Sequence, residues 1–410
     1  MITKKLLEKY ARLIVRTGAN VQPGQIVRLN VAVDQQDFAL MVMEECYKAG
    51  AKKVNIEWSS DGQSRLNLLY AGEETLSRVL PWEEEKMKQM TEDLPVNIWI
   101  DSEDPDAYAG LDVKKLTAVN QKRSAVLKPY RDRIDGKYQW LIVAVPSVPW
   151  AKKCFPELSD EEAVEKLWDA ILKTVRVDAE NDPVAEWEAH SRQMTKKADW
   201  LNSRGFVKLH YESASGTDLT VGMIPGAKWC GAGTVNPVNN VFYIPNMPTE
   251  EVFTSPMAGQ AEGIAVATKP LSWNGQLIEN FSVTFKEGRA VSVKAEKGQE
   301  LLEQMIVMDE RSGLLGETAL VPFDSPINKC GFLFNNTLFD ENACCHLALG
   351  TGFKEVLEGG DDLSVEEALK QGVNDSLIHV DFMIGAADMK ITGIREDGTA
   401  ELIFVNGTWA

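Results

Sequence analysis

The spacing of apolar residues changes character near the middle of the chain. In residues 3–17, Leu7, Tyr10, Ala11 and Ile14 share one face of an expected helix that Gly18 stops. The segment QIVRLNVAV (25–33) is apolar and β-branched, which predicts a strand. DFALMVMEECYKAG (37–50) has helical spacing and ends on Gly50. KVNIEW (53–58), VNIWI (96–100) and QWLIVAVP (139–146) predict three more strands with charged helical sequence between them. Near-continuous apolar strands alternating with helices predict a largely parallel sheet covered on both faces.

Residues 160–177 and 184–201 predict two further helices. Asp182-Pro183 supplies a cap residue and then proline at the first helical position. Val184, Trp187, Ser191, Met194, Ala198 and Leu201 then form one stripe, and this region reads as a connector. Beyond residue 205 the period shortens to two. FVKLHYESASGTDLTVGM predicts two strands around a Ser-Gly turn, and SVTFKEGRAVSVKAEKG predicts a hairpin turning at Glu287-Gly288. A helix is expected near 298–311, and short strands from 318 onward. The expected organisation is an α/β N-terminal domain at 1–183 and an α+β C-terminal domain, rich in antiparallel strands, at 184–410.

Composition narrows the function classes. A chain of 410 residues exceeds one ordinary core, which agrees with two domains. Net charge of −18 argues against a nucleic-acid partner. No run approaches eighteen apolar residues, so no membrane span is expected, and the charged N-terminus reads as a helix and not as a signal peptide. Six cysteines without a CxxC spacing suit reduced thiols in the cytoplasm. No GxGxxG follows the first strand and no GxxxxGK[ST] occurs, so the nucleotide-binding fingerprints are absent. His190 and His210 read as structural.

Ligand-type residues recur in the second half. NMPTEEVFTSP (246–256) holds Glu250 and Glu251; GLLGETALVP (313–322) holds Glu317; NNTLFDENACCHLALG (335–350) holds Glu341 and His346; SLIHVDFMIG (376–385) holds His379 and Asp381. On a strand, His379 and Asp381 share one face. A buried imidazole beside a buried carboxylate needs either a mutual pair or a shared cation. Cys344 and Cys345 beside His346 are either further ligands or small apolar fillers. Four carboxylates and two imidazoles suit zinc, cobalt or manganese and suffice for two ions sharing a bridging acid. Spacing alone leaves open whether these segments converge.

These four blocks, in this order and at these separations, resemble the thermophilic-type metallo-aminopeptidases of peptidase family M29 over essentially the whole chain. The resemblance implies release of single amino acids from peptides with a free N-terminus, two divalent ions and a homodimer. It also implies that the C-terminal domain carries the metals. Glu251, Glu317, Glu341, His346, His379 and Asp381 are the implied ligands, with Glu317 as the bridge. Glu250, which neighbours a ligand, is the candidate general base. One position departs: the family carries a tyrosine seven residues after the central histidine, where this chain has Phe353. Loss of one such donor typically costs about 2.7–4 kcal/mol of transition-state stabilisation. Two rival readings therefore stand beside the aminopeptidase: a metal-dependent hydrolase of another amide, and a catalytically weakened metal-binding homologue.

Overall fold

The computed structural model describes residues 2–134, 136–273 and 276–410. Contacts divide the chain into two compact units, Met1–Glu188 with Gly233–Pro248, and Ala189–Ala232 with Thr249–Ala410. The helix Pro183–Asn202, at whose start the domain boundary is expected, contributes to both units.

The first unit is α/β. Its four-stranded sheet runs in the order Lys53–Ser59, Ile26–Ala32, Val96–Asp101, Trp140–Ala144, and every pairing is parallel. Val27, Leu29 and Val31 are buried in alternation along the second of these strands. The first helix runs from Lys4 to Leu13, and a π-helical turn, Ile14–Gly18, carries the chain to its glycine stop. Tyr10 is fully buried and donates its hydroxyl to the Ala144 carbonyl at 3.0 Å.

The second unit is built on antiparallel strands in two sheets. A large sheet includes Phe206–Glu212, Asp218–Met223 and the long hairpin Gln276–Lys286/Arg289–Lys297. That hairpin turns at Glu287 and Gly288, both with positive φ, as the Glu-Gly pair predicts. A smaller sheet runs in the order His379–Met383, His346–Gly350, Leu315–Leu320, Val252–Thr254, Cys230–Gly231. Leu315, Leu347, Leu349, Val380 and Phe382 of the smaller sheet join Tyr211, Phe281 and Phe285 of the larger one in a single buried cluster. The hydroxyls of Tyr211 and Thr318 meet at 2.5 Å inside it.

The helix expected near 298–311 is shorter, Gln299–Met305. Past Met305 the Val307 and Met308 N–H groups turn to the Gln304 and Met305 carbonyls, and Asp309 and Ser312 keep the helix from resuming: Arg311 N–H donates to Asp309 Oδ1 and Asp309 N–H donates to Ser312 Oγ. The other Asp309 carboxylate oxygen accepts from Ser376 and Leu377, anchoring the approach to His379. Among the described residues no helix is long and apolar enough to cross a membrane.

The Tyr211–Thr318 contact links the two sheets one residue from Glu317. Replacing Tyr211 with phenylalanine strands the buried Thr318 hydroxyl and is expected to cost about 1 kcal/mol. The urea midpoint should fall with an unchanged slope; an unaltered midpoint would show that the pair does not hold the sheets together.

Candidate metal centre

The smaller sheet is unusual in what it buries. Every residue of Leu315–Leu320 and of His346–Gly350 is buried, so Glu317 and His346 have no solvated face to occupy. Strand register brings the polar groups together. Glu317 pairs with Ala348, and Ala348 pairs with Asp381, so the two acids flank an alanine on one face. Gly350 pairs with His379, one step along the same face. The central strand therefore presents His346, Ala348 and Gly350, and its two small residues leave room between the acids on either side. Glu251 immediately precedes the next strand, Val252–Thr254, which pairs with the Glu317 strand.

The side chains converge as two overlapping groups. Ligand atoms of Glu251, Glu317 and His346 lie within 4.8 Å of one another, and so do those of Glu317, His379 and Asp381. Glu317 belongs to both. His346 Nε2 lies 3.2 Å from Glu251 Oε2; His379 Nε2 lies 3.2 Å from Glu317 Oε2 and 3.4 Å from Asp381 Oδ1. Glu341 stands beside these groups, close enough for its charge to be felt with those of Asp381 and Glu251. Glu341 and Asp381 also line a cavity of about 80 Å³, shared with Leu271, Asn335, Asn336 and Asp340. That volume holds several water-sized groups.

Both imidazoles are oriented alike. His346 Nδ1 faces the Cys344 carbonyl at 3.4 Å, and His379 Nδ1 faces the Thr351 carbonyl at 2.7 Å. A carbonyl accepts only, so each Nδ1 carries the proton and each Nε2 is turned to the carboxylates. This is the arrangement that directs an imidazole lone pair at a cation. Without a cation, a second proton on each ring is the alternative counter-charge.

The titration behaviour follows. Burial disfavours the His346 imidazolium, yet the hydrogen bond and charge of Glu251 raise it to about 10. Burial opposes His379 likewise, and Asp381 and Glu317 raise it to about 12. Burial lifts Glu317 to about 7, against the hydrogen bond from His379. Burial and the neighbouring Asp381 and Glu251 hold Glu341 well above the ordinary range. Asp381 is buried as well, but the hydrogen bond and charge of His379 bring it below its ordinary value.

Glu250 belongs to neither group. It is buried, its backbone N–H donates to Asn342 Oδ1 at 2.7 Å, and its Oε2 lies 3.8 Å from His190 Nε2. Neighbours in an extended segment face opposite ways, and Glu251 takes the side of His346. Phe353 does stand at the centre: its ring lies 5.1 Å from that of His379 and 5.3 Å from that of Phe253. Phe353 is thus an apolar wall beside a ligand-type histidine. Cys344 and Cys345 are buried and join neither ligand group. Cys345 Sγ faces the Val321 carbonyl at 3.3 Å, and burial raises both thiols.

Three contributors escape a reading of residue types. Gly316 forms a bulge just before Glu317, where register with the His346 strand shifts. A Cβ there would sit 2.3 Å from the carbonyl oxygens of both Gly350 and Thr351. Thr351 supplies the carbonyl that orients His379. Asn342 links two of the acidic segments. Gly316 and Asn342 sit in the motif blocks, but only the fold shows what they touch.

Two outcomes are expected. Unfolded histidine and glutamate titrate near 6.5 and 4.5, and His346, His379, Glu317 and Glu341 are all raised above those values in the fold. The folded chain thus binds more protons than the unfolded one up to about pH 10. Stability of the metal-free protein should be fullest on the acid side of neutrality and should fall as pH rises from 7 to 10. Asp381 acts oppositely, but only in acid, as pH falls below its ordinary range. Melting temperatures in chelator across that interval check this, and a flat profile contradicts it. Separately, Gly316→Ala must displace the Thr351 carbonyl. It is expected to destabilise the fold by about 1–3 kcal/mol and to move the His379 imidazole NMR signals; unmoved signals would refute the coupling.

Comparison with known proteins agrees with this architecture. The family described as Thermophilic metalloprotease (M29) matches residues 3–409. Aminopeptidase AmpS of Bacillus subtilis (strain 168) is 44% identical over 405 residues, covering 98% of each chain. Aminopeptidase PepS of Streptococcus thermophilus is 42% identical, covering 99% of this chain and 98% of its own. The solved structure of wild-type AmpT from Thermus thermophilus superposes with a TM-score of 0.91 at 38% identity, over 99% of both chains. With its parallel N-terminal sheet, its antiparallel C-terminal sheets and these motif blocks, the chain belongs to the M29 metalloprotease family.

Proposed function

We propose that this protein is a two-metal aminopeptidase that hydrolyses the first peptide bond of peptides with a free N-terminus. The observation that carries it is the shared position of Glu317 between two ligand groups, each with one histidine whose Nε2 faces carboxylates. In this reading Glu251, His346 and Glu317 hold one divalent ion, and Glu317, His379 and Asp381 hold the other. Glu341 completes the set from the cavity side. The mixed oxygen and nitrogen donors suit zinc, cobalt or manganese. Family resemblance adds assembly as a homodimer, and six cysteines without a CxxC spacing suit a cytoplasmic setting.

When bound, the ions would polarise the scissile carbonyl and lower the pKa of an attacking water toward neutrality. The chain's own residues do the rest. The Cys344 and Thr351 carbonyls keep a proton on each Nδ1, so both Nε2 atoms stay available. Ala348 and Gly350 keep the space between the acids clear. His379, with about 30% of its side chain exposed, marks the side open to solvent. The acids lining the cavity beside Asp381 offer acceptors for a substrate ammonium, which would restrict cleavage to the chain end. Glu250, placed against His190, is read as holding the segment that carries Glu251. Phe353 closes the site beside His379 with an apolar ring.

Removal of the shared acid tests the reading. Glu317→Ala is expected to reduce bound metal from two ions to at most one. Leucyl-anilide hydrolysis should fall by more than about 100-fold, the upper end for a change outside the ligand set. Wild-type protein should cleave the free-amine substrate and leave its N-acetylated form intact. Unchanged metal content and rate in Glu317→Ala would reject the centre, and cleavage of the blocked substrate would reject the aminopeptidase in favour of another amide hydrolase.

A further inference from the structure

We propose that Asn342 is a positioning residue of the metal centre, whose amide ties the backbone leading into Glu251 to the carboxylate of Glu341. This rests on the reading of those two acids as ligands.

Asn342 is completely buried, in the single turn between Glu341 and the His346 strand. Its Oδ1 accepts the Glu250 N–H at 2.7 Å, across 92 residues of sequence. Its Nδ2 donates to the Leu338 carbonyl at 3.1 Å and faces Glu341 Oε1 at 3.4 Å. Only one amide orientation satisfies these partners. The Glu250 N–H can only donate, and the Leu338 carbonyl and an ionised Glu341 can only accept. The amide is therefore matched at both ends.

The geometry has a consequence for both acids. Glu251 follows the clamped peptide directly, so its backbone cannot shift without breaking the Asn342 bond. The same segment is held from its other side, where His190 Nε2 faces the Thr249 carbonyl at 2.8 Å. On Glu341, the Nδ2 contact occupies one carboxylate oxygen and leaves the other for the centre. One buried side chain thus sets the spacing between two acids that strand pairing does not fix, because neither Glu251 nor Glu341 lies within a strand of the sheet. The four strand-borne groups, Glu317, His346, His379 and Asp381, have ladder pairings to place them. Glu251 and Glu341 depend on side-chain contacts instead. Outer contacts of this kind commonly govern metal affinity by about 10–100-fold.

Cobalt(II) titration tests the proposal, with calorimetry for stoichiometry and affinity and visible absorption for coordination. Wild-type protein is expected to take up two ions. Asn342→Ala should weaken one of them by about 10–100-fold and alter the visible band. Asn342→Asp keeps an oxygen for the Glu250 N–H but turns an acceptor toward Leu338 and Glu341, so it should lose affinity as well. Glu341→Ala should lose affinity at the same ion, and Glu341→Ala/Asn342→Ala should fall short of the sum of the two single losses, because the contact to Glu341 is already gone while the bond to the Glu250 N–H is not. Melting curves in chelator establish that each variant folds; should the alanine variant fail, the isosteric aspartate variant decides. Wild-type affinity for both ions in Asn342→Asp, or penalties that add in the double variant, would overturn the role of Asn342. Failure of the wild-type protein to bind two ions would instead overturn the proposed two-metal centre, a distinct result.

Discussion

Buried carboxylates crowded on one face must be given a positive partner. Glu251, Glu317 and Asp381 are each buried, Glu341 stands among them, and the ion pairs these acids make among the described residues are to His346 and His379. An unpaired buried charge is costly enough that the group neutralises or recruits a counter-charge. In the metal-free chain the two histidines and the raised acids answer with protons. A pair of divalent ions answers the same demand with fewer groups left protonated. The local structure is arranged around this constraint, down to the carbonyls that keep both Nδ1 atoms protonated and both Nε2 atoms turned inward.

Placement of the acids divides into two kinds. Those inside strands are aimed by register: Glu317, Ala348 and Asp381 stand in a row across three strands, and the alanine makes the row hollow. The bulge at Gly316 and the carbonyl of Thr351 refine that aim, since the glycine leaves space for the very oxygen that holds His379. Those outside strands, Glu251 and Glu341, are aimed by side-chain bonds. A rigid sheet with two acids held by a buried amide is a sound base for a centre whose ligands must keep their distances. Phe353 adds an apolar wall on the His379 side.

Much of the fold was legible in residue patterning. The strands at 25–33, 53–58, 96–100 and 139–146 appear nearly as read, since continuous β-branched runs have few other ways to be buried. Glu287-Gly288 turns its hairpin because that turn needs positive φ. The helix near 298–311 was overestimated, because helical spacing does not reveal that Asp309 and Ser312 bond their own backbone. Nor does periodicity reveal that residues 233–248 return to the first unit, a matter of contacts between distant segments.

For the centre, the chain itself determined which groups are available and which share a strand face. His379 and Asp381 had to point together by the two-residue pleat, and the four motif blocks carried the family likeness. Only tertiary structure decided that segments more than a hundred residues apart converge, that Glu317 stands in both ligand groups, and that Glu250 turns to His190 while Glu251 turns to His346. The physical reason is that alternation along a strand is a local property of the backbone. Which strand lies beside which, and which buried amide spans the gap, is settled by the packing of the whole unit.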